Sequence, residues 1–200
     1  LDARGTFGNQ LSIISKNLEK ELKKIEPEKI LILGDTNSSL GAIIAKRLKI
    51  PVFHMEAGNR CYDLKVPEEV NRKIIDHASD ILMPYTRRSC ENLVSEGIPR
   101  RRIYITGNPI FEVINKNKNS IKKSKILKSL KLKKNKYFLL TMHREENVDS
   151  TLSLKKYISS LVMINKTFKL PIIWPIHPRS KNKLSDNAQK NLSSNNIQLI

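Results

Sequence analysis

Four ionisable residues, Asp35, Glu56, His143 and His177, each follow directly or almost directly on a short apolar run that reads as a buried strand. In open parallel sheets, ligands bind outside the carboxyl ends of the strands. Two carboxylates and two imidazoles in that position mark a reactive edge suited to taking and returning protons. Asp35 could instead cap the helix expected after Asp35-Thr36-Asn37-Ser38-Ser39. Glu56 is harder to dismiss, because a carboxylate that follows directly on a buried strand has to be paired or shifted in pKa. Glu68 and Glu69 follow Pro67 in the first turn of a helix, where negative charge is worth about 0.3–1 kcal/mol anyway, so spacing alone reads them as helix-end charges. His54 and His77 read as structural, while Arg60 and Arg72 could pair with the carboxylates or hold a phosphate. His143 opens His143-Arg144-Glu145-Glu146-Asn147 between a strand and a helix, so a phosphate there could meet imidazole, guanidinium and helix amides together. His177 has the same placement, with Arg179 beside it. Two such strand ends point to a diphosphate ligand.

The elements that must position these groups alternate. Leu11, Ile14, Leu18, Leu22 and Ile25 recur at helical spacing over residues 7–26, closed by Pro27. Ile30–Leu33 reads as a strand covered on both faces. Leu40, Ile43, Ile44 and Leu48 mark a helix, Pro51–Phe53 a strand, and residues 67–78 a helix with Pro67 at its first position. Ile81–Met83 and Ile103–Ile105 read as strands, separated by a helix over Arg87–Glu96, and a short helix carries Phe111, Val113 and Ile114. Residues 116–135 are Lys-rich and read as a linker with one amphipathic helix, between domains at 1–115 and 136–200. The alternation then resumes with strands at Tyr137–Thr141, Ile172–Trp174 and Ile197–Ile200 and helices at Leu152–Asn165 and Ser180–Leu192. Strand–helix alternation predicts an α/β protein with parallel sheets.

Composition narrows the partners. The 200-residue chain is 39% hydrophobic and carries a net charge of +18, which favours anionic ligands. Aromatic residues are only 6% and are not interleaved with the basic ones, which argues against a stacking platform for nucleic acid. Cys61 and Cys90 form neither a metal spacing nor a disulfide framework, which fits a reducing, cytoplasmic setting. No apolar run approaches the roughly 20 residues of a membrane span. Gly5-Thr6-Phe7-Gly8 is not a dinucleotide fingerprint, since no strand precedes it. No phosphate-binding Walker loop, metal-ligand cluster or nucleophile elbow is present, so chemistry is expected from carboxylates and histidine without a cofactor.

Gly34–Ser39, His54–Arg60, Val66–Arg72, Thr106–Pro109 and His143–Asn147 together resemble the successive motifs of the non-hydrolysing UDP-N-acetylglucosamine 2-epimerases. The resemblance implies a GT-B architecture, two Rossmann-like doubly wound domains facing a cleft, both incomplete here. It implies reversible inversion at C2 of UDP-GlcNAc to UDP-ManNAc, by anti elimination of UDP and re-addition, for surface polysaccharide precursors. It makes Asp35, Glu56 and Glu68 the catalytic carboxylates, and His143 a residue that helps UDP depart. Arg72, Arg144 and His177 become UDP- or phosphate-binding residues. It also implies a cytoplasmic homodimer with a UDP-sugar substrate, no metal, and neither nucleic acid nor membrane as partner.

The stretch from Cys61 to Val66 is shorter than in the best-known UDP-GlcNAc enzymes of that family, and Asn59-Arg60-Cys61 and His177-Pro178-Arg179 look more like a subgroup acting on UDP-2-acetamido-2,6-dideoxy-L-talose to make UDP-L-FucNAc. Competing readings are a hydrolysing relative, a GT-B glycosyltransferase, and an inactive UDP-sugar-binding fragment. The chain begins at Leu1 and stops in an apolar run, as if cut from something longer, and by itself is expected to be inactive.

Overall fold

The computed structural model describes residues 5–142, 151–176, 181–182 and 184–200, apart from the side chains of residues 151 and 152. Two compact units divide the chain, Leu1–Asn117 and Lys118–Ile200.

The first unit opens with α1 (Phe7–Ile25), whose first turn is held by Thr6 Oγ1 accepting from the Asn9 amide. After β1 (Ile30–Leu33), a 3₁₀ turn at Asn37–Leu40 leads into α2 (Gly41–Arg47), and the apolar stripe of α1 lies over that turn and α2. Leu22, Leu40, Ala42, Ala45, Val52 and Ile75 form the buried centre, with Leu11, Leu18, Ile30 and Ile32 packed against it. Each large apolar side chain so buried is worth roughly 1.5–3 kcal/mol. β2 (Val52–Met55), α3 (Pro67–Ala78), β3 (Ile81–Met83) and α4 (Arg87–Ser95) follow. The sheet has strand order β1-β2-β3 and is parallel throughout, with Leu33 opposite Met55 and Met55 opposite Met83. α5 (Ile110–Lys116) closes the unit.

Two sequence expectations need correction here. β1 is covered on one face only: Ile30 and Ile32 point into the core, whereas Leu31 and Leu33 are 63% and 61% exposed. Alternate residues of a strand face opposite ways, and no described element lies over that second face. The segment Ile103–Ile105 is not a full strand. Ile103 bridges Leu82, and the Tyr104 and Thr106 amides bond Leu82 and Pro84 carbonyls, before Gly107 turns the chain away.

In the second unit, α6 (Lys118–Lys123) and α7 (Ile126–Ser129) occupy the Lys-rich segment, where one helix was expected. β4 (Phe138–Leu139), α8 (Thr151–Phe168), β5 (Ile172–Trp174), α9 (Asp186–Ser194) and β6 (Ile197–Leu199) form a second parallel sheet in the order β4-β5-β6, with its helices. α9 begins at Asp186 because Ser185 caps it; the expected start at Ser180 lies outside the described residues. Leu154, Ile158, Leu161, Ile172, Trp174, Leu184, Leu192 and Ile197 make the core of this unit. No described helix is long and apolar enough to cross a membrane.

Candidate active site

The parallel register places three chain reversals on one edge of the first sheet. The Gly34 amide donates to Met55 O at 3.2 Å and the Glu56 amide to Met83 O at 3.1 Å, so Gly34-Asp35, Glu56 and Pro84-Tyr85 leave their strands side by side. Glu56 has φ of 67°, a left-handed conformation that costs a non-glycine residue about 1–3 kcal/mol and clusters at functional sites. Gly34, at φ of 75°, gives room beside it: a Cβ there would stand 3.4 Å from Glu56 Oε2. Tyr85 shares this corner, and burial, followed by the charge of Glu56, holds its phenol above the usual value of 10.0.

Asp35 does not cap a helix. The 3₁₀ turn starts after Thr36 without a side-chain cap, and Asp35 Oδ2 instead accepts from Arg72 Nε at 2.8 Å. Asn71 Nδ2 reaches the Asp35 carbonyl at 2.9 Å. Two consecutive residues of α3 thus fasten the end of β1. Glu68 stands exposed in the first turn of α3, four residues before Arg72 and on the same helix face.

Glu69 differs from its neighbour. It is wholly buried and accepts from the Cys61 amide at 2.9 Å, the Tyr62 amide at 3.1 Å and Arg72 Nη1 at 3.2 Å. Burial opposes ionisation, but those bonds, with one from the Cys61 thiol, outweigh it and hold the carboxyl below its ordinary range. Glu69 therefore ties the loop between Glu56 and Glu68 to α3.

Beneath this edge lies a buried ionic cluster. Asp76 accepts from Arg60 Nη2 at 2.8 Å and the Gly58 amide at 3.1 Å, and pairs with His54 Nδ1 at 2.7 Å, while His54 Nε2 meets Gly34 O at 3.0 Å. Arg60 also donates twice to Glu96, at 2.7 and 2.6 Å. Burial alone would weaken the Arg60 proton, but Glu96 and Asp76 more than offset it and hold the group above its usual range.

A family model for UDP-N-acetylglucosamine 2-epimerase matches residues 2–200. The chain belongs to the UDP-N-acetylglucosamine 2-epimerase family. It is 41% identical over 196 residues to a UDP-N-acetylglucosamine 2-epimerase of Methanococcus maripaludis, covering 96% of this chain and 54% of that protein. A UDP-2,3-diacetamido-2,3-dideoxy-D-glucuronate 2-epimerase of Pseudomonas aeruginosa is 32% identical over 180 residues, 88% of this chain and 49% of its own. The crystal structure of Methanocaldococcus jannaschii UDP-GlcNAc 2-epimerase in complex with UDP-GlcNAc and UDP superposes with a TM-score of 0.87 at 38% identity, over 98% of this chain and 56% of that one. The GT-B-type α/β fold is thus shared with solved epimerases, and the chain spans about half the length of the curated relatives it matches.

Among the epimerase-like motifs, the structure sets Asp35 and Glu56 on neighbouring strand ends and links Asp35 to the helix that bears Glu68. Arg72, expected at phosphate, is engaged by Asp35 and Glu69. Arg60 is not a phosphate ligand, because its side chain is closed off between Asp76 and Glu96. His143, Arg144 and His177 lie outside the described residues. Sequence reasoning missed the anchoring by Glu69, the Asp76 cluster and the approach of Tyr85. The first leaves no mark in the sequence beyond the Glu68-Glu69 pair; the Asp76 cluster needs the packing of α3 against β2, and the approach of Tyr85 needs the register of β2 against β3.

Proposed function

We propose that this chain supplies the catalytic carboxylates of a nucleotide-sugar 2-epimerase acting on UDP-GlcNAc and UDP-ManNAc. The observation that carries the reading is the strand-end arrangement in which Asp35 and Glu56 emerge together while Arg72 draws α3, with Glu68, onto Asp35. The C2 proton of the sugar is not acidic, since no carbonyl adjoins it in the ring. Elimination solves this: a carboxylate takes the C2 proton, the C–H electrons become the C1–C2 double bond, and the C1–O electrons leave with the diphosphate. Re-addition of the diphosphate at C1, with a proton delivered to C2 from the opposite face, completes the inversion. Acidic groups from separate elements suit that task, because one must stand on each face of the ring. A third can stabilise positive charge developing at C1.

The diphosphate leaves as a polyanion and needs cations. His143, Arg144 and His177 are assigned that part, with N–H groups of Arg72 not used by Asp35 or Glu69. A second substrate, UDP-2-acetamido-2,6-dideoxy-L-talose, is favoured by Asn59, which belongs to the subgroup-like Asn59-Arg60-Cys61 motif and reaches Glu56. A cytoplasmic homodimer serving polysaccharide synthesis rests on family resemblance, and sedimentation of the complete protein tests the dimer.

The deciding experiment is proton NMR of each UDP-sugar with the complete protein in deuterated water. Deuterium entering C2, with that exchange abolished in Asp35→Asn and Glu56→Gln, supports the reading. Release of free ManNAc and UDP instead identifies a hydrolysing relative, and no exchange with either sugar overturns the proposal.

A further inference from the structure

The loop that carries Glu56 is clamped from the side by the first turns of α4. Gly58 sits at φ of 77°, and a Cβ there would lie 2.2 Å from Ser89 O, so loop and helix backbones are in direct contact. Asn92 Nδ2 donates to Gly58 O at 2.9 Å. In this clamp a run of hydrogen bonds has one direction. Thr86 Oγ1 accepts from the Ser89 amide at 3.1 Å and has its own proton left for Ser89 Oγ, 2.9 Å away. Ser89 Oγ donates in turn to Asn59 Oδ1 at 3.0 Å, and Asn59 Nδ2 donates to Glu56 Oε1 at 3.2 Å. Because the Glu56 carboxylate can only accept, it takes the NH₂ side of the Asn59 amide, which leaves the carbonyl side to accept the Ser89 hydroxyl proton. Each donor polarises the next.

We propose that Asn59 is a positioning residue that reserves Glu56 Oε1 and leaves Oε2 as the oxygen that exchanges a proton with the sugar at C2. Oε2 is the atom on the Gly34 side, next to the end of β1 where Asp35 stands. A carboxylate on strained left-handed backbone has no helix or strand to fix its rotamer, so the amide performs that service. Ser89 and Thr86 act one and two bonds further back by holding the carbonyl side of that amide in place. The proposal rests on the epimerase reading for the role of Oε2, but not for the hydrogen-bond relay itself.

Two measurements separate these layers. In ¹⁵N-labelled protein, the side-chain NH₂ signals of Asn59, assigned by their loss in Asn59→Asp, should move in Glu56→Gln and again in Ser89→Ala. In the complete protein, Asn59→Leu should lower kcat for C2 exchange about 10- to 100-fold, as expected for a misplaced reacting group, with KM within about twofold. Ser89→Ala should lower kcat less, and the double variant Asn59→Leu/Ser89→Ala should match Asn59→Leu alone, because the two act through one bond. Asn59 signals indifferent to Glu56→Gln overturn the relay. Unchanged kcat in Asn59→Leu, or losses that multiply in the double variant, overturn the positioning role. Responsive Asn59 signals in a protein that exchanges neither sugar overturn the role given to Oε2 together with the epimerase reading, and leave the relay standing.

Discussion

Arg72 Nε donates to Asp35 Oδ2 at 2.8 Å, so the residue two positions past the end of β1 is held by a guanidinium from the second turn of α3. The same guanidinium reaches Glu69 at 3.2 Å. Lysine carries the same charge but not the planar fork that serves two carboxylates in different directions. Arg72→Lys is therefore expected to keep the fold and lower kcat for C2 exchange about 100-fold, by letting Asp35 move. Steady-state kinetics on the complete protein with either UDP-sugar measures it, and a change confined to KM would show that Arg72 acts on the diphosphate alone.

Glu69 predicts an acid-sensitive anchor. Its carboxyl titrates below the ordinary value of 4.5, because the amides of Cys61 and Tyr62 and the Arg72 guanidinium outweigh burial. A group that binds its proton more weakly when folded stabilises the fold above its unfolded value, and that stability is lost as pH falls through the folded value. The contribution is thus complete at neutral pH and declines as pH falls below about 4.5 toward the lower folded value. Glu69→Gln should destabilise the protein at neutral pH by roughly 1–3 kcal/mol and flatten the acid limb of its urea-unfolding free energy. Retention of the wild-type acid limb in Glu69→Gln would assign that limb to other carboxylates.

Two glycines with similar backbone angles separate space from conformation. Gly58 and Gly97 have φ of 77° and 87°, but a Cβ at 58 would collide with Ser89 O while one at 97 meets nothing within 4 Å. Gly97→Ala should cost only the left-handed strain, about 1 kcal/mol. Gly58→Ala adds displacement of α4 from the loop and should exceed 3 kcal/mol, roughly the range reserved for core overpacking and strained backbone. Thermal unfolding of the two variants side by side makes the comparison.

The contrast between Glu68 and Glu69 shows what was legible in the chain and what was not. Strand–helix alternation was readable because buried strands such as Ile172–Trp174 and the stripe of α1 carry their period openly. Asp35 and Glu56 were placed at strand ends because each closes an apolar run. The partner of each polar group was not readable, since it depends on register between elements far apart in sequence. Asp35 meets Arg72 across 37 positions, and Arg60 meets Glu96 across 36. The continuous apolar run of β1 predicts burial on both faces; the structure covers only the Ile30 and Ile32 face, since an apolar side chain does not by itself supply a neighbour.

The Asp76 cluster gives the sharpest test of how the site loop is held. Asp76 and the Arg60 side chain have no exposed surface, and Asp76 is shared among Arg60, His54 and the Gly58 amide. In Arg60→Met the buried Asp76 carboxylate keeps only His54 and the Gly58 amide, a loss that can reach about 3–5 kcal/mol, whereas in Asp76→Asn the Arg60 guanidinium keeps both bonds to Glu96 and the loss should be smaller. Arg60→Met should therefore destabilise more than Asp76→Asn, and the double variant should recover part of the Arg60→Met loss. The Gly58 amide distinguishes them further. In Asp76→Asn its acceptor loses its charge and its hydrogen exchange should quicken relative to strand amides of β2, while in Arg60→Met the carboxylate remains to accept it. Equal exchange at Gly58 in both variants would mean that the loop carrying Glu56 is held from the α4 side, through Asn92 and Ser89, and not from below.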